Sequence, residues 1–146
     1  AAFATLATAD LRSLPARPLA RVVAVETELE PSAGTEEPNL ARGLTSVLHR
    51  LLAACEVGWV FTDCSGEEHR DREWMRAAGR AGDALAGAHV MHAGEWAGDV
   101  GAAIGPLALA IACASWSAGC APSSRCLVAL SSDGAERGGF VIEEAP

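Results

Sequence analysis

Apolar residues recur at spacings of three and four through LARGLTSVLHRLLAAC, so that Leu40, Leu44, Val47, Leu48, Leu51 and Leu52 gather on one side of an amphipathic helix starting near Pro38 and Asn39. Gly58 punctuates its end, and VGWVFTDC follows as a short apolar run closed by turn formers, the signature of a buried strand. Earlier in the chain, Ala2 to Ala7 and Ala20 to Leu29 read as strands, joined by a connection carrying Pro15 and Pro18. Residues Glu67 to Ala86 are rich in charge and Ala and predict a second helix, frayed near Gly79 and Gly82; AHVMHA returns as a strand. PLALAIACASW is long enough for a helix and nearly free of polar residues, which predicts burial all round. The strands RCLVALS and GFVIE flank the Gly-rich turn SSDGAERGG and suit a hairpin. After an initial strand the order is βαβαβαββ, which argues for α/β layers around a mixed, five-stranded sheet.

The chain's 146 residues and 50% apolar content suit one compact core and argue against disorder. No stretch reaches the roughly 18 uninterrupted apolar residues that a membrane-spanning helix needs. The net charge of -8 repels phosphate backbones, so neither nucleic acid nor membrane is an expected partner. All the basic residues are Arg, and Arg70, Arg72, Arg76 and Arg80 alternate with Glu67, Glu68, Asp71, Glu73 and Asp83, which reads as a solvated helix face. Five Cys without a CxxC pair or a signal peptide point to reduced thiols and a cytoplasmic location. Cys55, Cys113 and Cys126 lie in apolar runs, where a free thiol packs as a small hydrophobe. The sequence opens on AAFATLA without an initiator Met and reads as a piece of a longer chain.

Candidate chemistry is sparse. Asp63 and Asp99 sit beside turn-forming residues, where Asp caps helices or forms Asx turns; as a facing pair they would instead share a proton and act as acid and base. Cys64 and Ser65 fall in the loop after a strand, a usual place for nucleophiles, but His69 lies on the charged helix face and completes no triad. Near a helix N-terminus an exposed Cys64 would have a lowered pKa. His89 and His92 are three apart in a strand and so point to opposite faces, which disfavours joint zinc binding. Gly98, Gly101 and Gly105 without a Lys make no phosphate loop. Trp59 and Trp116 read as core residues, whereas Trp96 in the Gly-rich stretch either plugs a tunnel or packs at a contact. No cofactor and no metal are expected.

Four segments, in this order, resemble the C-terminal half of a β-ketoacyl synthase of the thiolase-like fold. FVIEEAP resembles the family's closing strand, commonly HVVLEEAP, with SSDGAERGG in the place of its GFGGTNA loop. GDVGAAIGPLALAIA is similar to the GHLEAAAG motif and its buried helix, and VGWVFTDCSGEEHRDREW to the segment usually read DYVNAHGTGTPLGDPIE. AAFATLATADLRSLPARPLARVVAV resembles the strand, loop and strand that open the family's second half. The resemblance implies that residues 1–146 form one half-domain whose core is completed by a second, similar half.

It also implies a loss. Asp63 and Asp99 stand where the family has its two catalytic His, Gly94 stands where it has a Lys, and Ser132, Asp133 and Gly134 replace the tip of the Gly-rich loop. Decarboxylation of a malonyl thioester puts negative charge on the thioester oxygen, which needs hydrogen-bond donors; an ionised Asp only accepts. The implied function is a degenerate synthase-like subunit, a pseudoenzyme that acts as a chain-length-factor-like or scaffold partner in fatty acid or polyketide chemistry. Two rivals are an acyltransferase or thioester hydrolase with its nucleophile in the other half, and a non-enzymatic interaction module. The implied partners are the N-terminal half, a homo- or heterodimeric mate and an acyl carrier protein.

Overall fold

A computed structural model describes residues 18–145. The strand expected at Ala2 to Ala7 lies outside them. Among the described residues five strands form one mixed sheet: β1 (Ala20–Leu29), β2 (Trp59–Thr62), β3 (His89–His92), β4 (Arg125–Ser131) and β5 (Glu136–Glu144). They lie in the order β1-β5-β4-β2-β3. The β2–β3 and β2–β4 pairs are parallel, whereas β4–β5 and β5–β1 are antiparallel. Helix α1 (Arg42–Ala54) leads from β1 to β2, and the parallel members are joined through α2 (Glu68–Ala81), α3 (Gly94–Ala97) and α4 (Ile104–Ser117).

The period of two along each strand sorts side chains between two cores. Val60, Leu127, Ala129 and Val141 face α1 and α2, meeting Leu44, Val47, Leu48, Leu51, Trp74 and Ala77. Their neighbours Trp59, Phe61, Cys126, Val128 and Ile142 face α4 and pack on Ala108, Ala112 and Trp116. Burial on both faces is why β2 reads as an unbroken apolar run. Trp59 and Trp116 are both in the core, their rings edge to face at 6.3 Å.

α1 begins at Arg42, after Asn39 has turned the chain by accepting the Ala41 N–H at 2.7 Å. Its first turn is completed from a distance. The buried Glu30 carboxylate accepts the Gly43 N–H at 2.8 Å and the Ser32 hydroxyl at 2.8 Å. Burial works to raise its pKa, but these bonds outweigh it and hold Glu30 below its ordinary value of 4.5. A carboxyl depressed by folding contributes stability above its unfolded pKa, and that contribution fades as the pH falls through its folded pKa. Glu30→Gln is therefore expected to cost about 1 kcal/mol near neutral pH and to flatten the loss of stability below about pH 4.5. Urea unfolding at a series of pH values measures both; an unchanged acid slope would remove Glu30 as its source.

Two expectations about helices need correction. α2 is not a wholly solvated charged face, because Glu73 is buried against Arg137 and the Arg70 side chain is only 11% exposed. Arg137 on β5 and the Ser131 carbonyl on β4, which meet these two side chains, lie far along the chain, where local charge alternation does not reveal them. α4 is not buried all round: Ile104, Ala108, Ala112, Cys113 and Trp116 face the sheet, while Ala110 and Ala114 point outward. A helix lying on one sheet face has only one side to bury, and its outer flank has no cover among the described residues. No helix among them is long and apolar enough to cross a membrane.

Candidate functional site

The parallel strands β2 and β4 end side by side, and a cleft of about 310 Å³ opens beyond their carboxyl ends, the usual location of sites in open α/β sheets. Asp63 enters it from the end of β2, Leu130 and Ser131 from β4, and Ser132 and Asp133 from the hairpin tip. The opposite wall is the Gly98–Ala102 segment with Ile104 at the start of α4. Asp63 and Asp99, some distance apart in sequence, thus line one cleft together with Ser132 and Asp133. Gly134 sits at the tip just beyond, its N–H donating to the Ser132 hydroxyl at 3.1 Å.

Neither aspartate is free. Asp63 Oδ2 accepts the Ser131 N–H at 2.6 Å and an Arg70 guanidinium N–H at 3.2 Å. Burial pushes its pKa up, with the Ser131 N–H and Arg70 pulling the other way. Asp99 Oδ1 accepts the Gly101 N–H at 2.8 Å, closing the turn that leads into α4. Arg70, which local sequence did not single out, is the hub: it donates to the Ser131 carbonyl at 2.6 Å and to Glu67 at 2.7 Å, and it pairs with Asp133. The local signals for it are Glu67 three residues and Asp63 seven residues earlier; Ser131 and Asp133 lie more than sixty residues away.

Cys64 is not the exposed, activated thiol that its loop position suggested. It is buried, and burial pushes its thiol up to about 12, so thiolate is scarce at neutral pH. Ser65 is half-buried and lies against Gly94, where β3 passes into α3. A Cβ on Gly94 would come within 2.7 Å of Ser65 Cα and still closer to the Cys64 carbonyl. Trp96 lies on α3, 52% exposed, its ring edge-on to Phe61 at 6.3 Å, and is not part of the cleft wall. Thr62, buried at the end of β2, joins its hydroxyl to His92 Nδ1 at 2.6 Å, while His89 is exposed.

Among the described residues no group of three or more His, Cys, Asp or Glu is placed to hold a metal, and no buried side-chain nitrogen or oxygen lacks a hydrogen-bond partner. A larger, more open hollow of about 490 Å³ lies at the other end of the sheet, between Gly58, Ser123–Arg125 and Glu143. It contains none of the candidate residues, and Glu143 there is taken up by Arg21 and Arg125.

No family model matches this sequence, and no curated protein matches it. Solved structures do. The chain is similar to the ishigamide ketosynthase/chain length factor, with a TM-score of 0.68 and 21% identity over 92% of this chain and 37% of that one. It is also similar to AbyA1, a tetronic acid condensing enzyme, at 0.56 and 20% over 85% of this chain and 48% of that one. A third likeness is to CsyB complexed with CoA-SH, at 0.50 and 11%, covering 88% and 42%. The chain thus shares the α/β fold of these structures, with its five-stranded mixed sheet, and spans less than half the length of each of them.

Proposed function

We propose that the chain is the second half of a ketosynthase-like protein whose condensing site has been dismantled, and that it serves as a chain-length-factor-like or scaffolding partner in fatty acid or polyketide assembly. The observation that carries this reading is the state of the three family positions. Asp63 is engaged by Arg70 and Ser131, Asp99 closes a turn, and Gly94 has no room for a side chain. A malonyl carboxylate or an enolate entering the cleft would meet the acceptors Asp63, Asp99 and Asp133, with Arg70 already committed to its own partners. The outer flank of α4 is the surface we assign to the other half, with a homo- or heterodimer built on that pair and an acyl carrier protein as visitor. A cytoplasmic setting suits the five free thiols.

The test is intact mass spectrometry of the purified assembly before and after incubation with an acyl thioester. A second chain with no adduct is expected. Condensation of malonyl and acyl thioesters by the assembly alone, abolished by mutating the partner's nucleophile, would refute the reading. One observation favours a second reading, an acyltransferase or hydrolase with its nucleophile in the other half: Asp63 and Asp99 share a single cleft. An acylated second chain would support it, and turnover that survives Asp63→Asn together with Asp99→Asn would exclude the aspartates from it.

A further inference from the structure

The arginines are not spent evenly. Among the described residues Arg21, Arg50, Arg70, Arg72, Arg125 and Arg137 each pair with a carboxylate, whereas Arg42, Arg76 and Arg80 do not; Glu36, Glu37 and Asp83, on the flanking segments, pair with none of them. The uncompensated arginines lie together, where the start of α1 meets the last turns of α2. Arg76 and Arg80, one turn apart on α2, reach across to the chain entering α1: Arg76 donates to the Asn39 carbonyl at 2.6 Å, and Arg80 to the Leu40 carbonyl and to the Thr45 hydroxyl at 3.0 Å. Thr45 stands one turn from both Arg42 and His49 on α1, which places the Arg80 guanidinium on the ridge between them. The exposed His49 ring adds a second tie, its Nε2 donating to the Arg80 carbonyl at 3.3 Å.

We propose that this patch docks an acidic, amphipathic helix of a partner protein. A carbonyl orients a guanidinium without cancelling its charge, and both Arg76 and Arg80 are held through Nη1, which leaves their other N–H groups preset to receive carboxylates. Carboxylates one helical turn apart match the spacing of Arg76 and Arg80, about 6 Å, and Arg42 extends the row onto the next helix. Exposed apolar side chains accompany the charges on the same elements, Met75 at 69% and Leu40 at 36%. An amphipathic helix covers these with its apolar stripe, whereas a phosphate or a nucleic acid has none to lay on them. The net charge of -8 opposes an acidic partner from afar, but beyond about 8 Å that repulsion is largely screened at physiological salt, while pairs in contact still attract. α1 and α2 cover the sheet face opposite α4, and the patch lies outside the cleft, so its docking role does not depend on the fate of the condensing site.

Fluorescence anisotropy with the full chain in its assembled state tests it, the probe being a labelled amphipathic helical peptide with Glu at every fourth position and Leu alongside, in about 0.1 M salt. Arg42→Glu combined with Arg76→Glu is expected to weaken binding by about tenfold or more, whereas Arg21→Gln, on β1 and away from the patch, leaves it unchanged. Arg42→Glu alone breaks no bond among the described residues and is expected to weaken binding by about threefold or more; it carries the comparison should the double variant fail to fold. Absence of binding to the unaltered assembly, or equal binding by Arg42→Glu, would overturn the docking role. So would inorganic phosphate or phosphatidylserine vesicles that displace the peptide and lose affinity in the same variants, since the patch would then be a general anion site or a membrane contact.

Discussion

Arg137→Met alone is expected to cost about 3–5 kcal/mol of stability, and Arg137→Met combined with Glu73→Leu far less than that. Arg137 Nε donates to Glu73 Oε1 at 2.7 Å, and both side chains are almost sealed from water. Removing the guanidinium leaves a buried carboxylate without its counter-ion and frees the Gly134 and Glu136 carbonyls that Arg137 also serves. Removing both charges takes away the desolvation cost along with the attraction, so only the carbonyl bonds are lost. A double-mutant cycle in urea separates these contributions. Should the double variant prove as unstable as Arg137→Met, the damage would lie in the hairpin carbonyls and not in the orphaned charge. Against a total stability of about 5–15 kcal/mol for a domain, the single change is large enough to populate the unfolded chain measurably.

That pair marks the boundary of what could be read from the residues in order. The leucines of α1, the alternation of Trp59, Val60 and Phe61 across the sheet and the closing hairpin were all legible, because each is a local pattern that one hydrophobic face imposes. The end of α2 was legible in part: the expected helix ran to Ala86 with fraying near Gly79 and Gly82, and α2 stops at Gly82, at φ 52°, where a side chain would resist, while Gly79 stays within it. The charges were not. Glu73 and Arg137 are 64 residues apart and look, each in its own neighbourhood, like solvated surface groups. The outward flank of α4 was missed because composition reports how apolar a helix is and not how many surfaces there are to cover it. At the site, Asp63 and Asp99 were picked out with their turn-forming surroundings, and the Asx-type bond from Gly101 to Asp99 is the local geometry that those surroundings suggest. The buried state of Cys64 depends on packing against distant residues, which a loop position cannot convey.

Gly94 carries the sharpest consequence for function. The resemblance to ketosynthases puts a Lys at this position, so the direct attempt at repair is Gly94→Lys. That change is expected to cost about 2 kcal/mol or more and to leave the chain without condensing activity, because the obstacle is the backbone: Ser65 Cα would lie 2.7 Å from the new Cβ. No rotamer of Lys relieves a clash made at its Cβ, so Gly94→Ala is expected to lose nearly as much as Gly94→Lys. Thermal unfolding of the two variants compares them. If Ala were tolerated and Lys alone were damaging, the cost would belong to the buried ammonium, and the loop at Cys64–Ser65 would have room to yield. If both fall together, the β2 loop has closed over the place the Lys would need. Under the proposed function, placing His at Asp63 and Asp99 would then not suffice to build a synthase site without also moving Cys64 and Ser65 away from α3. On that reading the obstacle lies in the backbone, and side-chain substitutions alone would not supply condensing activity.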